Sequence, residues 1–301
     1  MNAKITIGLP VYNGEKFIHK RINSILEQTF SDFELVISDN ASTDSTLKIC
    51  DEFQKKDKRI RYIRQKINMG VTWNYNFVCE QANSNYFVWA QVDDIWLPDF
   101  LKRNIEVLDS NHDAVGSMSK IDFYEEMDEM SKWGKSLKII RKKIHSLRPD
   151  TYPTSEMYEK RIRQFLKGGH VEILYGVYRT EKLKKSLVHA EFLGNDWATI
   201  LRILKYGRVY MVENILMHGS TSGVSSKGII SLTNSFNSGN LKKIFPWIYF
   251  TAFCVKELDR KIFVKNLDFF IQLNVEGQIS LLIDLIFLFK KKFRNKMQEK
   301  V

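Results

Sequence analysis

Two adjacent carboxylates, Asp93 and Asp94 in WAQVDDIWLPD, follow an aromatic strand-like run and precede a helix started by a proline. Paired carboxylates at the carboxyl end of a strand suit a hard divalent cation that bridges two phosphates, because Mg2+ and Mn2+ take a few carboxylate oxygens and complete their shell with phosphate oxygens. Taken alone, a DD pair is as readily an acidic loop capping the next helix. A third carboxylate, Asp39 in SDNASTD, stands where a strand ends and a helix begins. From there it can accept the imide N–H of a uracil or reach a ribose, while residues from Ser42 to Ser45 cap the helix; an ordinary turn with an N-cap is the plainer alternative. Asp196, in FLGNDWATILRILKYG, opens an amphipathic helix and can act as a general base on an acceptor hydroxyl if it faces a cleft. Without a cleft it is a charge favoured by the helix N-terminus. His170 and Glu172 in GGHVEILYGVYR, with Tyr178 and Arg179, can line an acceptor side.

The elements that would hold these groups alternate. Ile5 to Val11 and Phe33 to Ser38 are short β-rich runs, and Ile18, Ile22, Ile25 and Leu26 between them repeat at helical spacing, which makes one βαβ unit. Leu47, Cys50 and Phe53 share a helical face, Ile60 to Arg64 reads as a strand, Thr72 to Gln81 as a helix, and Tyr86 to Gln91 as an aromatic buried strand. The pattern predicts an α/β fold with a mostly parallel, doubly wound central sheet flanked by helices and with ligands at the carboxyl ends of its strands. A helix from Pro98 to about Leu108 leads into a strand over Val115 to Tyr124. Residues 125–155 break the rhythm: Glu125, Glu126, Asp128 and Glu129 precede an acid-free basic stretch from Lys132 to Arg148, which reads as an insertion near the mouth of a site. Val171 to Arg179 then reads as a strand, Asp196 to Lys205 as an amphipathic helix and Arg208 to Val212 as a returning strand. Beyond Gly228 the chain turns helical and basic, with twelve Lys/Arg against six Asp/Glu in 241–301.

With 301 residues, 44% hydrophobic and 13% aromatic, the chain can bury one large core or two smaller ones, which argues against disorder. Its net charge of +11 favours an anionic partner: a nucleotide, a lipid surface or a nucleic acid. Cys50, Cys79 and Cys254 are far apart with no CxxC spacing, which argues against a zinc site or disulfide framework and fits a reducing cytoplasm. The N-terminal MNAKITIGLPVYNG enters a core strand with no long apolar region and does not read as a secretory signal. Two late apolar runs, Ile244 to Val255 broken by Pro246 and Ile279 to Phe289 broken by Asp284, are shorter than the ~17–25 residues of a spanning helix, so buried or interfacial helices are expected.

In order and spacing, GLPVYNGEKFI, SDNASTDST, NMGVTWNYN, VDDIWLPDFL and GNDWATILRILKYG together resemble the inverting family 2 glycosyltransferases of GT-A fold, of the bacterial surface-polysaccharide type, over about residues 3–220. The resemblance implies that Pro10, Tyr12 and Asn13 pack on a nucleotide base that Asp39 recognises, and that Asn68, Gly70 and Asn74 line the nucleotide pocket. It implies that Asp93 and Asp94 belong to a DXD-type motif holding ribose and metal, and that Asp196 is the catalytic base. Related enzymes bring a histidine toward the metal or diphosphate, a role His218 in LMHGSTSG can fill through an imidazole nitrogen; a loop histidine with no role is the alternative. Where many members carry an aspartate, this chain has Gln91, whose amide can bond a ribose but is a poorer metal ligand.

The expectation is therefore a GT-A catalytic domain over 1–228, with a nucleotide-sugar half at 1–124 and an acceptor half at 125–228, followed by a helical basic region at 229–301. It would use Mn2+ or Mg2+ and a nucleotide-sugar donor, UDP-sugar favoured, and act on a glycan or lipid-linked oligosaccharide. The apolar Ile279 to Phe289 followed by Lys290, Lys291, Lys292, Arg294 and Lys296 suggests a cytoplasmic enzyme peripheral on an anionic membrane face, against a packed helix with a solvated basic end. Three other readings compete with this one. A catalytically silent homologue that only binds nucleotide-sugars has Gln91 as its hint. A nucleic-acid-binding protein has the charge but no motif, so no nucleic-acid partner is expected. A dinucleotide oxidoreductase lacks GxGxxG after the first strand.

Overall fold

The β-branched run Ile5–Val11 forms the first strand, β1, and is buried along its whole length, as a strand covered on both faces must be. The structure is a computed structural model that describes residues 3–124, 151–168, 171–220, 228–236 and 240–298, with 291–298 by backbone alone. After β1 come α1 (Ile18–Leu26), β2 (Phe33–Asp39), α2 (Thr46–Lys56), β3 (Ile60–Arg64), α3 (Val71–Glu80) and β4 (Tyr86–Trp89). There follow β5 (Ile95–Trp96), α4 (Phe100–Ser110), β6 (Ala114–Tyr124), α5 (Tyr158–Gly168), β7 (Val177–Arg179), α6 (Thr180–Ser186), α7 (Asn195–Ile203) and β8 (Arg208–Ser220). All eight strands join one sheet in the order β3-β2-β1-β4-β7-β6-β8-β5. The β3-β2-β1-β4 half is parallel; β7 runs antiparallel to both β4 and β6, β8 is parallel to β6, and β5 is antiparallel to β8. The register sets Val11 beside Asp39 and Gly8 beside Trp89, so the carboxyl ends of β1, β2 and β4 open on one edge of the sheet.

Three sequence expectations change. Val171–Tyr175 is a 3-10 turn and only Val177–Arg179 is strand, because a short apolar run does not distinguish a buried turn from a strand. The returning strand is much longer than Arg208 to Val212, and His218 lies within it instead of after it. The two-residue β5 directly follows Asp94 and pairs with that extension, Ile95 beside His218. The expected insertion at 125–155 and the basic stretch within it lie outside the described residues except for 151–155.

The chain divides into two compact units, with the sheet and its helices in the first and Glu191–Gly194 with the described residues from Gly228 onward in the second. The second unit is helical: α8 (Ile229–Asn234), α9 (Ile248–Glu257), α10 (Arg260–Lys265) and α11 (Leu267–Gln298). Its own core gathers Phe250, Ile262, Phe269, Phe270 and Leu273, with Phe263 and Phe270 stacked at 4.6 Å. Asp284 does not end the last helix. Its carboxylate accepts the Ile230 N–H at 3.0 Å at the start of α8, and the run expected to break there continues in a helix of 32 residues. Within it, Leu267–Lys290 is long and apolar enough to cross a membrane by length and composition. All three cysteines are free and buried, and burial pushes their thiols up, so they act as packing residues.

Candidate functional site

The loops after β1 and β2 are knitted together by side chains. Asn13, at φ 51°, donates its N–H to Ser42 Oγ at 2.9 Å and accepts the Thr43 N–H on Oδ1 at 2.8 Å. Glu15 N–H donates to Asp44 Oδ2 at 3.0 Å, while Glu15 Oε2 accepts the Ser45 N–H at 2.9 Å at the start of α2. That helix start is satisfied by Glu15 and by Asp44, which accepts the Thr46 N–H at 3.0 Å; the Ser45 side chain makes no capping bond. Pro10 is buried in β1, and Tyr12 stands half exposed at its end.

Asp39 is fully buried. Its Oδ1 accepts the Ser42 N–H at 2.8 Å, its Oδ2 accepts the Tyr62 hydroxyl at 2.6 Å, and Arg64 Nε lies 4.0 Å away. In this conformation Asp39 holds the loop, and the groups presented to solvent there are Tyr12, Asn13 and Arg64. Asn74 is likewise buried: its Oδ1 accepts the Ser38 hydroxyl at 2.6 Å and its Nδ2 donates to the Ser38 carbonyl at 3.0 Å, which places it behind the strand ends. Asn68 is exposed, and its Oδ1 accepts from Asn40 Nδ2 and from the Gly70 N–H, both at 2.9 Å. Gly70, at φ 91°, makes the left-handed turn into α3 that a side chain would strain.

The carboxylates lie past β4. Gln91 Oε1 accepts the Tyr75 hydroxyl. Asp93 is half-buried and its carbonyl accepts the Tyr124 hydroxyl at 2.9 Å. Asp94, 7% exposed, accepts the Ser220 N–H on Oδ1 at 3.1 Å, while Arg21 Nη1 donates to its carbonyl at 3.2 Å. Burial pushes Asp94 up to about 6, with the charge of Asp93 adding to it and that of Arg21 opposing. Arg21 is fully buried, its guanidinium lies 4.1 Å from the centre of the Trp96 ring, and its Nε and Nη2 find no acceptor among the described residues. Burial lowers it to about 10 against the pull of Asp94 and Asp93.

Asp196 is half-buried in the first turn of α7, its Oδ1 accepts the Trp197 N–H at 2.9 Å, and burial raises its pKa. Asn195 next to it donates to Thr72 Oγ1 at 2.8 Å, tying this helix to the start of α3. Tyr75 and Tyr175 are half-buried, and their phenols are pushed upward by desolvation and then by the charges of Asp93, Asp94 and Asp196, with Tyr75 adding to the shift of Tyr175. The adjacent pair Asp93 and Asp94 and the distant Asp196 thus act electrostatically on the same two tyrosines. His218 Nδ1 lies 3.5 Å from Asp122 Oδ2. Among the described residues no three His, Cys, Asp or Glu side chains form a ready metal group, so Asp93, Asp94 and His218 are not drawn into one. Two adjacent carboxylates nevertheless suit Mg2+ or Mn2+, which keeps most of its shell for phosphate and water oxygens, and the raised pKa of Asp94 marks a negative charge that Arg21 does not fully compensate.

Tyr178 belongs to the core, and half-buried Arg179 is committed to backbone carbonyls. Tyr178 is fully buried and donates to the Ile173 carbonyl, and Arg179 donates to the carbonyls of Ala114 at 2.7 Å and Leu108 at 2.8 Å. Glu172 falls in the 3-10 turn, and His170 lies outside the described residues. Sequence reasoning missed Arg21, Tyr75 and Tyr175. Arg21 carried a signal: it sits on the apolar face of α1 formed by Ile18, Ile22 and Ile25, where a charge needs a buried reason.

The family model described as "Glycosyl transferase family 2" matches residues 6–180. A dTDP-rhamnosyl transferase of Shigella flexneri, RfbG, is 35% identical over 121 residues, 38% of this chain and 42% of that protein. The chain spans less than half the length of the curated relatives it matches. Among solved structures, residues 1–349 of Staphylococcus aureus TarS with UDP-GlcNAc match at TM-score 0.60 and 18% identity, covering 88% of this chain and 72% of that one. The mannosyltransferase PcManGT of Pyrobaculum calidifontis with GDP-Man and Mn2+ matches at TM-score 0.58 and 13% identity, covering 94% and 74%. The fold is of GT-A type.

Proposed function

The chain belongs to glycosyl transferase family 2, and from that premise we propose that it transfers a sugar from a nucleoside-diphosphate sugar to a hydroxyl of a glycan or lipid-linked oligosaccharide, with inversion, in bacterial surface-polysaccharide synthesis. The observation that carries this reading is that Asp93, Asp94 and Asp196 all act electrostatically on Tyr75 and Tyr175, with Asn195 beside Asp196 bonded to Thr72 on the helix that carries Tyr75. Such carboxylates supply what the reading requires, ligands for a cation on an anionic leaving group and a base for the acceptor.

In this reading Asp196 takes the acceptor proton as the hydroxyl oxygen bonds to the anomeric carbon and the nucleoside diphosphate departs from the opposite side. Its raised pKa brings it nearer the working pH of a general base. Asp93 and Asp94 hold a divalent ion, Mn2+ or Mg2+, whose role when bound is to neutralise the diphosphate. His218, whose strand position pairs with Ile95 and whose Nδ1 lies 3.5 Å from Asp122, is assigned to complete that shell, which requires its side chain to turn from Asp122 to the ion. Gln91 is assigned to the ribose. Pro10, Tyr12 and Asn13 take the base, with Asn68 and Gly70 lining the pocket, Asn74 bracing it, and Asp39 fixing the loop; to read the base edge its Oδ2 must exchange the Tyr62 hydroxyl for the base N–H. A pyrimidine, as in UDP, is favoured because an imide N–H suits a carboxylate acceptor. The catalytic domain is assigned to 1–228, its donor half to 1–124 and its acceptor half to 125–228, with 229–301 as a basic region holding the enzyme to the cytoplasmic face of an anionic membrane.

The test is calorimetry of the purified chain against a panel of nucleotide-sugars, with and without Mn2+, on wild type, Asp93→Ala/Asp94→Ala and Asp196→Asn. One donor should bind in a metal-dependent way, lose that binding in the double variant and keep it in Asp196→Asn, which should turn over at least about 100-fold more slowly. Binding of no donor would sink the transferase reading; full turnover by Asp196→Asn would remove that residue from its role.

A further inference from the structure

The helix α11 presents two unlike faces, one buried and one exposed. At about 100° per residue, Phe269, Phe270, Leu273 and Gly277 fall on one side of the helix, and all are buried. Gly277 is where the helix meets Trp247: a Cβ there would stand 2.6 Å from the indole. Leu267, Ile271, Val275, Ile279, Leu282 and Ile286 recur in steps of three and four on the opposite side, within an arc of about 120°, and each is between 43% and 60% exposed. Asp268 in the first turn is the one charge on that arc before Lys290. Ile244 and Phe245, also exposed, lie beside the stripe, because Gln278 at its border donates to the Ile244 carbonyl at 2.6 Å.

The helix is long enough to span a bilayer, yet its other side is committed to the protein. Asp284, on the buried side, accepts the Ile230 N–H, Asn274 donates to Thr251 Oγ1 at 3.0 Å, and Gln278 is bonded to Ile244. Crossing a membrane would strip these polar groups of their partners in hydrocarbon. Lying in the interface would keep all of them and cover only the stripe. Cations flank the stripe at both ends, with Lys261 and Lys265 exposed just before its start in sequence and the run Lys290, Lys291, Lys292, Arg294 and Lys296 in sequence at its far end. An apolar stripe with cations at its ends is complementary to an anionic lipid surface.

We propose that α11 lies in the plane of an anionic bilayer, its Leu267 to Ile286 stripe sunk among the acyl chains and its flanking cations on the head groups, as a one-leaflet anchor that does not span. The inference deepens the membrane-surface part of the proposed function and rests on it, and it is independent of the transferase chemistry.

The full-length chain is mixed with vesicles of phosphatidylcholine alone or with phosphatidylglycerol added, and sedimented at low and high salt and after alkaline carbonate. Wild type should sediment with the anionic vesicles, weakly with the neutral ones, less at high salt, and be released by carbonate. Val275→Glu/Ile279→Glu, both positions exposed, should lose sedimentation at least about tenfold while its circular dichroism and calorimetric nucleotide-sugar binding stay unchanged. Sedimentation equal to wild type by the variant, resistance to carbonate, or a dimer in light scattering that the variant abolishes would each overturn the proposal. Because donor binding is measured on the same protein without vesicles, a failure of the anchor and a failure of the transferase reading give different results.

Discussion

Asp94 keeps its charge against burial. Its pKa of about 6 stands above the ordinary 3.8 of an aspartate, so its contribution to folding is greatest below pH 4 and is lost as pH rises through 6. A shift of about two units corresponds to about 3 kcal/mol. Asp94→Asn should therefore be more stable than wild type by that order in urea unfolding at pH 8 in the presence of a chelator, with the difference gone below pH 4. The same variant should lose Mn2+-dependent donor binding, since an amide oxygen is a weak ligand for a hard cation. A less stable variant at pH 8 would mean that Asp94 serves the fold before the ligand. Arg21 acts on this balance from beneath as a positioning residue. Its charge lowers the pKa of Asp94, so Arg21→Met should move the acid midpoint of metal-dependent donor binding to higher pH, and Arg21→Lys should move it partly back. An unchanged midpoint in Arg21→Met would leave that guanidinium as packing for Trp96 and a bond to the Asp94 carbonyl alone.

At the scale of elements, the site depends on how the strand ends are tied. Asn74, on α3, exchanges two hydrogen bonds with Ser38 at the end of β2. Asn74→Ala would leave a buried hydroxyl and carbonyl of Ser38 short of partners, a loss of about 1–3 kcal/mol, visible as a lower urea midpoint with an unchanged slope. Donor affinity should fall with it, because the loop Asp39 holds begins one residue later. β1, β2 and β3 were readable from sequence because each is a short run rich in β-branched, aromatic or other apolar residues, and the carboxylates after β2 and β4 follow from where a parallel sheet opens. β5 was not readable: two residues carry no period, and only their pairing with β8 makes them strand. The same pairing hides in the late part of β8, where Glu213 and Asn214 interrupt the apolar pattern while the strand continues. Asp284 misled in the opposite sense. A charge within an apolar run reads as a break, yet here it continues the helix and serves as acceptor for the first turn of another. Which carboxylates converge was legible through resemblance alone; that Asp39 is enclosed by Tyr62 and Ser42 depends on contacts between residues more than twenty apart for the tyrosine, which no local pattern reports.

For the whole molecule, the division into two units gives the two proposed activities separate homes. Every residue assigned to donor, metal and base, from Pro10 to His218, belongs to the unit built on the sheet, and the exposed stripe of α11 belongs to the other. Each unit has a buried core of its own. A ligand that binds only the folded form stabilises what it touches by RT ln(1 + [L]/Kd), about 2.7 kcal/mol at a hundredfold excess over Kd. Scanning calorimetry of the full chain should resolve two components, and the preferred nucleotide-sugar with Mn2+ should raise the melting temperature of one and leave the other in place. Asp93→Ala/Asp94→Ala should abolish that selective shift without merging the components. A single transition that moves as one on adding donor would show that the helical unit unfolds with the sheet, and the anchor and the transfer site would then be one cooperative structure, coupled through folding as well as through the chain.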